Sequence, residues 1–181
     1  MCIRDSHEVD GKRTVAEAWH ADVPGGVVGP TTVSADGATV YAFSRLGQIV
    51  ALDAATGKTR WTFDNGGYGF ATMAVSPDGL IMPTGVVGAP LTLLRDKGDR
   101  AELVWKRDDL ASVSLSTLTS SGTAWTVVRD PGAQTLSLVE VSTADGAPKR
   151  TLPLPESVGF ATGVAVSVSY THLTLPTTPY A

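Results

Sequence analysis

Aspartate-glycine turns recur along this 181-residue chain at a nearly constant interval. Asp36-Gly37 is followed by Asp78-Gly79 and, loosened, by Ser121-Gly122, giving steps of 42 residues (36 to 78) and 43 (78 to 121). Tryptophan keeps the same spacing at Trp19, Trp61 and Trp105, with steps of 42 (19 to 61) and 44 (61 to 105). A unit of this length holding several short strands cannot bury its apolar faces alone, so successive units must stack. That is the signature of a β-propeller blade. The fold class expected is all-β: a partial β-propeller of about three four-stranded antiparallel blades plus the start of a fourth.

Strand and turn signals fit the interval. The first unit reads as strands at 29–34, 39–43, 48–53 and an outer strand ending near Phe63, separated by turns at Asp36-Gly37, Leu46-Gly47 and Thr56-Gly57. The second reads as 71–75, 80–84, 91–95 and 102–105, the third as 114–119, 124–129, 136–141 and 149–152. Residues 161–167 open a fourth. Glycine supplies the positive φ that tight hairpin turns require. Helical periodicity is absent, and the density of glycine and proline opposes helix.

Both ends depart from the repeat. Met1-Cys2-Ile3-Arg4-Asp5-Ser6 and residues 168–181, with the Thr/Pro/Leu string after His172, resemble translated sequencing-adapter sequence, a contaminant of metagenomic assemblies. Such segments stand outside fold reasoning. The expected organisation is therefore 1–6 scar, 7–28 the end of a preceding blade and an inter-blade loop, 29–63, 64–106 and 107–152 blades, 153–167 the start of the next, and 168–181 scar. About three and a half blades leave two open apolar faces without ring closure, which predicts a marginal, aggregation-prone polypeptide.

Several functions are disfavoured by composition. The single cysteine, Cys2, falls in the scar, leaving no disulfide framework, thiol nucleophile or cysteine metal site. The net charge of −4, without a basic stripe, offers nothing to nucleic acid. Pro83, Pro90 and several glycines interrupt the most apolar run, so no membrane-spanning segment is expected.

One motif is far more specific than the spacing: Ala51-x-Asp53-x-x-Thr56-Gly57-Lys58-x-x-Trp61. It resembles, position for position, the tryptophan-docking motif of pyrroloquinoline-quinone (PQQ)-type repeat propellers, the family of quinoprotein dehydrogenase-like and outer-membrane assembly lipoprotein-type propellers. In that family the tryptophan stacks between its own blade's alanine and the glycine peptide of a neighbouring blade. The resemblance implies that Ala51, Gly57 and Trp61 join blades and that Asp53 fixes a turn by binding nearby backbone. Physics agrees: a large aromatic buries about 150–250 Å², and only a small residue at Ala51 leaves room for the ring. The other copies are degenerate. Gly98 precedes Trp105 by seven residues rather than four, and Ser142, Gly146 and Arg150 replace aspartate, glycine and tryptophan in the third. Whether the third blade docks by the same stack is left open.

The resemblance does not bring the cofactor with it. Quinoprotein dehydrogenases surround the quinone with a catalytic aspartate, calcium ligands, a vicinal cysteine pair and a stacking tryptophan, and nothing here matches those residues. No cofactor is predicted; PQQ with calcium belongs only to a full-length parent whose other blades carry the active site. Many propellers of this kind instead serve as scaffolds or binding platforms in the bacterial envelope.

Candidate chemical residues read as structural. His20 reads as a solvated strand residue. Asp108-Asp109 point to opposite faces if they lie on a strand and are solvated if they lie in a loop. Gly25-Gly26 and Gly66-Gly67 precede no helix and are not phosphate cradles. Ser76, Ser114 and Ser116 lack a Gly-x-Ser-x-Gly context or a nearby base.

Geometry then says where binding would sit. First-to-second and third-to-fourth turns emerge on one face of a propeller, and the remaining loops on the other. Binding residues concentrate on loops held by a rigid scaffold. The candidate binding face is therefore Arg45, Asp64, Asn65, Tyr68, Asp108 and Arg129, with Asp130 and Glu156 nearby. The expected function is a non-catalytic binding or scaffolding module taking a protein or small-molecule ligand on that face, outside the cytoplasm. The alternative is part of a PQQ-dependent quinoprotein oxidoreductase.

Overall fold

The computed structural model describes residues 2–9, 12–69, 71–85, 89–129, 135–158 and 164. Among them every regular element is a strand. A hairpin of β1 (Cys2–Val9) and β2 (Lys12–His20) comes first. Three four-stranded antiparallel sheets follow, each joined strictly in chain order. The first holds β3 (Thr32–Val33), β4 (Thr39–Phe43), β5 (Gln48–Asp53) and β6 (Thr59–Asp64). The second holds β7 (Thr72–Val75), β8 (Leu80–Thr84), β9 (Leu91–Asp96) and β10 (Ala101–Arg107). The third holds β11 (Thr117–Leu118), β12 (Thr123–Arg129), β13 (Leu136–Ser142) and β14 (Pro148–Pro153).

Side-chain alternation shows why the sheets stack. On β4 and β5, Val40, Val50 and Leu52 pack back onto Trp19, Ala21 and Val23. Tyr41, Phe43, Ile49 and Ala51 pack forward onto Met73, Ile81 and Leu94 of the second sheet. Successive strand residues face opposite sides, so a run buried throughout, such as Thr39–Phe43, must be covered on both. Leu80, Met82, Leu91 and Leu93 likewise meet Ala124, Val139 and Val141 of the third sheet. Three sheets stacked face on face in chain order are blades of a partial β-propeller.

Inner strands bind one another sideways. The Thr32 hydroxyl donates to the Met73 carbonyl (3.1 Å), joining the first and second inner strands. Thr117 donates to the Val164 carbonyl (2.5 Å), and the Val164 amide donates to the Leu115 carbonyl (3.3 Å). Of the segment 161–167, read as opening a fourth unit, all but Val164 lies outside the described residues.

The middle strands β4, β5 and β8 have the bounds expected from sequence. Inner strands are shorter, with β3 covering two residues where 29–34 was expected. Gly29, at φ +84°, explains the retreat: a Cβ there would lie 2.2 Å from the Ala71 carbonyl oxygen. The chain leaves the ladder to pass against the neighbouring blade. The adapter-like Cys2-Ile3-Arg4-Asp5-Ser6 pairs with β2 from His20 to Val15. Main-chain ladder bonds are indifferent to sequence, so any extended segment can supply them.

Candidate functional site

The docking motif folds as a turn that serves the preceding sheet. Asp53 Oδ1 accepts from the amides of Ala55 (3.1 Å) and Thr56 (2.9 Å) and from the Thr56 hydroxyl (2.9 Å). Its Oδ2 accepts from Arg60 Nη2 at 2.7 Å. Arg60, and then the Thr56 hydroxyl, hold the Asp53 carboxyl down to about 2. The Asp53 amide donates to the Lys58 carbonyl (2.8 Å), and Lys58's side chain is exposed. Gly57, at φ +71°, faces Trp19: a Cβ there would lie 2.5 Å from the indole Cε3. Trp19 Nε1 donates to the Ala54 carbonyl at 2.8 Å.

Trp61 works at the next seam. It is 6% exposed and its Nε1 donates to Asp96 Oδ1 of the second sheet at 2.9 Å. Tyr41, Ala51 and Trp61 lie side by side on adjacent strands. The fully buried Ala51 is small enough that the two rings meet at a centroid distance of 5.9 Å. Thus Asp53 and Gly57 receive one tryptophan while Trp61 is given to another turn.

Sequence drift in the third copy does not change its turn. The Gly146 and Ser142 amides donate to the carbonyls of Ser142 and Ala147 (both 2.9 Å), matching Gly57 to Asp53 and Asp53 to Lys58 (both 2.8 Å). Trp105 lies over Gly146, 2.9 Å from where a Cβ would stand, and donates to the Thr143 carbonyl at 3.0 Å. Arg107 adds a bond to the Gly146 carbonyl at 2.7 Å. Ser142 Oγ accepts from the Ala144 amide (3.2 Å) where Asp53 accepts from Ala55, and Asp145 Oδ1 accepts from the Ala147 amide (3.1 Å), so other side chains cap a turn of the same backbone form. Arg150 occupies the position of Trp61 in its sheet and lies over Trp125 at 5.8 Å.

The second sheet is the exception. Its turn is shorter, closed by the Lys97 amide on the Arg100 carbonyl (2.9 Å), and Gly98 has open space where a Cβ would point. Asp96 compensates by accepting from Trp61, from the Gly98 amide (2.7 Å) and, on Oδ2, from the Tyr41 hydroxyl (2.6 Å). Burial, and then Asp96, push the Tyr41 phenol far above its ordinary value. Beside this junction a cleft of about 220 Å³ opens on the tight-turn face, lined by Asp36, Tyr41, Arg60, Ser76 and Asp96 among others. Sequence reasoning missed it, although the irregular Gly98-to-Trp105 spacing was its trace.

Four of the six residues of the candidate binding face come together. The turn at 44–48 lies between two inter-sheet loops. On one side the Arg45 amide donates to the Gly26 carbonyl (3.0 Å), and a Cβ at Gly25 would lie 2.8 Å from Leu46 Cγ. On the other, the Asn65 amide donates to the Gly47 carbonyl (3.0 Å), and a Cβ at Gly47 would lie 2.8 Å from the Gly67 carbonyl oxygen. Arg45 and Asp64 are exposed, as are Tyr68 (64%) and Leu46 (63%). Leu46 was missed by sequence reasoning, which treated it only as a turn residue. Asn65 differs from expectation, since its side chain is buried rather than lining the surface. Asp108 follows β10 of the second sheet and Arg129 ends β12 of the third; both are exposed. Asp130 lies outside the described residues, and Glu156 is exposed.

Two further carboxylates are engaged in ion pairs. Asp108 pairs with Lys106 (3.1 Å) and Asp109 with Arg107 (2.5 Å), which holds the Asp109 carboxyl below its ordinary value. His20 Nδ1 is in hydrogen-bond contact with Glu17 Oε1 at 3.0 Å on an exposed strand. Among the described residues no group of three His, Cys, Asp or Glu could hold a metal, and no helix is long and apolar enough to cross a membrane.

No family profile matches the chain. Protein Rv3035 of Mycobacterium tuberculosis is 38% identical over 152 residues, covering 82% of this chain and 37% of that protein. Among solved structures, BamB from Moraxella catarrhalis superposes with a TM-score of 0.66 at 20% identity, over 84% of this chain and 45% of its own. The β-propeller domain of Cps50 (Swd1) from Myceliophteria thermophila gives 0.62 at 11% identity, over 89% and 55%. Hydrazine synthase from Kuenenia stuttgartiensis gives 0.57 at 13%, over 74% and 38%. The chain thus spans 37% of its curated relative and about half or less of these structures. At such identities the structural likeness is one of fold: a partial β-propeller.

Proposed function

We propose that the chain is a section of a PQQ-like repeat propeller acting as a non-catalytic binding or scaffolding module. The repeat assignment draws support from the Ala51-to-Trp61 motif, whose turn seats the tryptophan of the adjoining sheet. The binding assignment rests on one observation: Arg45, Leu46, Asp64 and Tyr68 are gathered, exposed, where one turn is clasped between two inter-sheet loops. On the opposite face the turn carboxylates are spent internally, with Asp36 accepting from Ser34 and Asp78 from Ser76 (both 2.5 Å). The loop face would take a protein or a small molecule. Placement in the bacterial envelope extends the resemblance to outer-membrane assembly lipoprotein-type propellers and is an argument from fold. The reading assigns no cofactor to these sheets.

The test places a photo-crosslinking residue at position 45 or 68, and at position 37 on the opposite face, in the chain exported to a bacterial periplasm. Adducts from 45 and 68 but not from 37 are expected. Adducts confined to 37 would reverse the assignment.

A further inference from the structure

Three buried side-chain polar atoms lack a hydrogen-bond partner among the described residues: both amide atoms of Asn65 and the Ser116 hydroxyl. Asn65 is 8% exposed. It follows Trp61 by the four residues that separate Val23 from Trp19. Val23 is equally buried and packs with Trp19, Val40, Val50 and Leu52. An apolar side chain therefore suits the position in the adjoining unit. An unpaired buried amide destabilises by about 1–3 kcal/mol, so stability does not explain the asparagine.

The surroundings join this amide to the exposed patch. Its main chain is fixed by the Gly47 carbonyl, and the turn that follows runs through Gly66, Gly67 and Gly69, all at positive φ (69°, 73° and 117°). Tyr68, between them, is the most exposed large apolar side chain described, and Leu46 stands one residue before Gly47.

We propose that Asn65 is the recognition group of a site for an extended peptide segment of a partner protein, reached when the Gly66-Gly67 turn opens beside the exposed Tyr68. This rests on the loop-face reading above. A carboxamide offers one acceptor and two donors, and a peptide group complements it, giving N–H to its carbonyl and taking N–H on its own. Tyr68 and Leu46 supply apolar contact for the flanking side chains. An adenine edge could make the same paired bonds, but a chain of net charge −4 repels its phosphates.

The test pans a displayed library of short linear peptides against the whole chain and measures enriched peptides against Asn65→Val and Tyr68→Ala. Oligoadenylate is titrated in parallel. Expected are peptides that shift the Asn65 side-chain NH2 signals and bind Asn65→Val roughly tenfold more weakly or worse, the equivalent of about 1.4 kcal/mol. Asn65→Val itself should melt no lower than the parent. A lower melting temperature would show that the amide is bonded within the fold and would overturn the proposal. So would failure to enrich any Asn65-dependent peptide, or a response to oligoadenylate alone. Peptides indifferent to Asn65→Val but lost in Tyr68→Ala would sink this inference and leave the loop-face reading standing.

Discussion

Trp19 and Gly57 belong to different sheets, yet the indole Cε3 lies 2.5 Å from the point a Gly57 Cβ would occupy. Contact between an aromatic face and a bare backbone is how the first seam is made, and Trp105 with Gly146 repeats it.

Substitution at these glycines should therefore combine two penalties. Gly57→Ala and Gly146→Ala place a Cβ at positive φ and also into an indole. A loss of about 2 kcal/mol or more is expected for each. Gly37→Ala, at φ +73° with nothing within 4 Å, carries only the backbone penalty of about 1 kcal/mol. Urea melts of the three variants decide the matter; equal losses would remove the steric part of the account.

At the second seam the indole is held by a side chain rather than a carbonyl. Trp61→Ala should lose about 3–5 kcal/mol, as for other buried tryptophans. Pairing Trp61→Phe with Asp96→Asn in a double-mutant cycle should give a coupling of about 0.5–3 kcal/mol. Strict additivity would show that the Nε1 contact adds nothing.

Asp53 makes the first turn sensitive to acid. Its folded value of about 2 lies below the ordinary 3.8. A depressed carboxyl adds stability that is fully present above the unfolded value and is lost as pH falls through the folded one. Asp53→Asn should therefore be less stable than the parent at neutral pH, with the gap closing from about pH 4 down to pH 2. A gap unchanged across that range would mean that the Arg60 and Thr56 bonds contribute nothing.

The middle strands were legible because continuous apolar runs bounded by Asp-Gly and Leu-Gly turns admit little else. Inner strands were overestimated, since the departure at Gly29 depends on Ala71 of another blade, which local pattern does not encode. The turn at Asp53-to-Gly57 was legible as a local pattern, but which tryptophan sits on which glycine is a relation between units. Drift at Ser142 concealed a turn that keeps its glycine at Gly146 and is capped by the Ser142 hydroxyl in place of a carboxylate. On the candidate face, the exposure of Arg45, Asp64 and Tyr68 was legible from loop position, whereas the burial of Asn65, whose amide is tied to the Gly47 carbonyl of another turn, was not.

Tyr68 should be indifferent to folding. Tyr68→Ala is expected to change stability by no more than about 0.5 kcal/mol, as at other exposed sites. A cooperative melt displaced well beyond that would place the ring in the core and remove it from the binding face.

The radial stacking of the sheets is tested most directly by nuclear Overhauser contacts between indole rings and glycine backbones. Contacts from Trp19 Hε3 to the Gly57 Hα pair, and from Trp105 Hε3 to that of Gly146, are predicted together. Their absence, with both indole N–H groups exchanging at the rate of free tryptophan, would contradict the account.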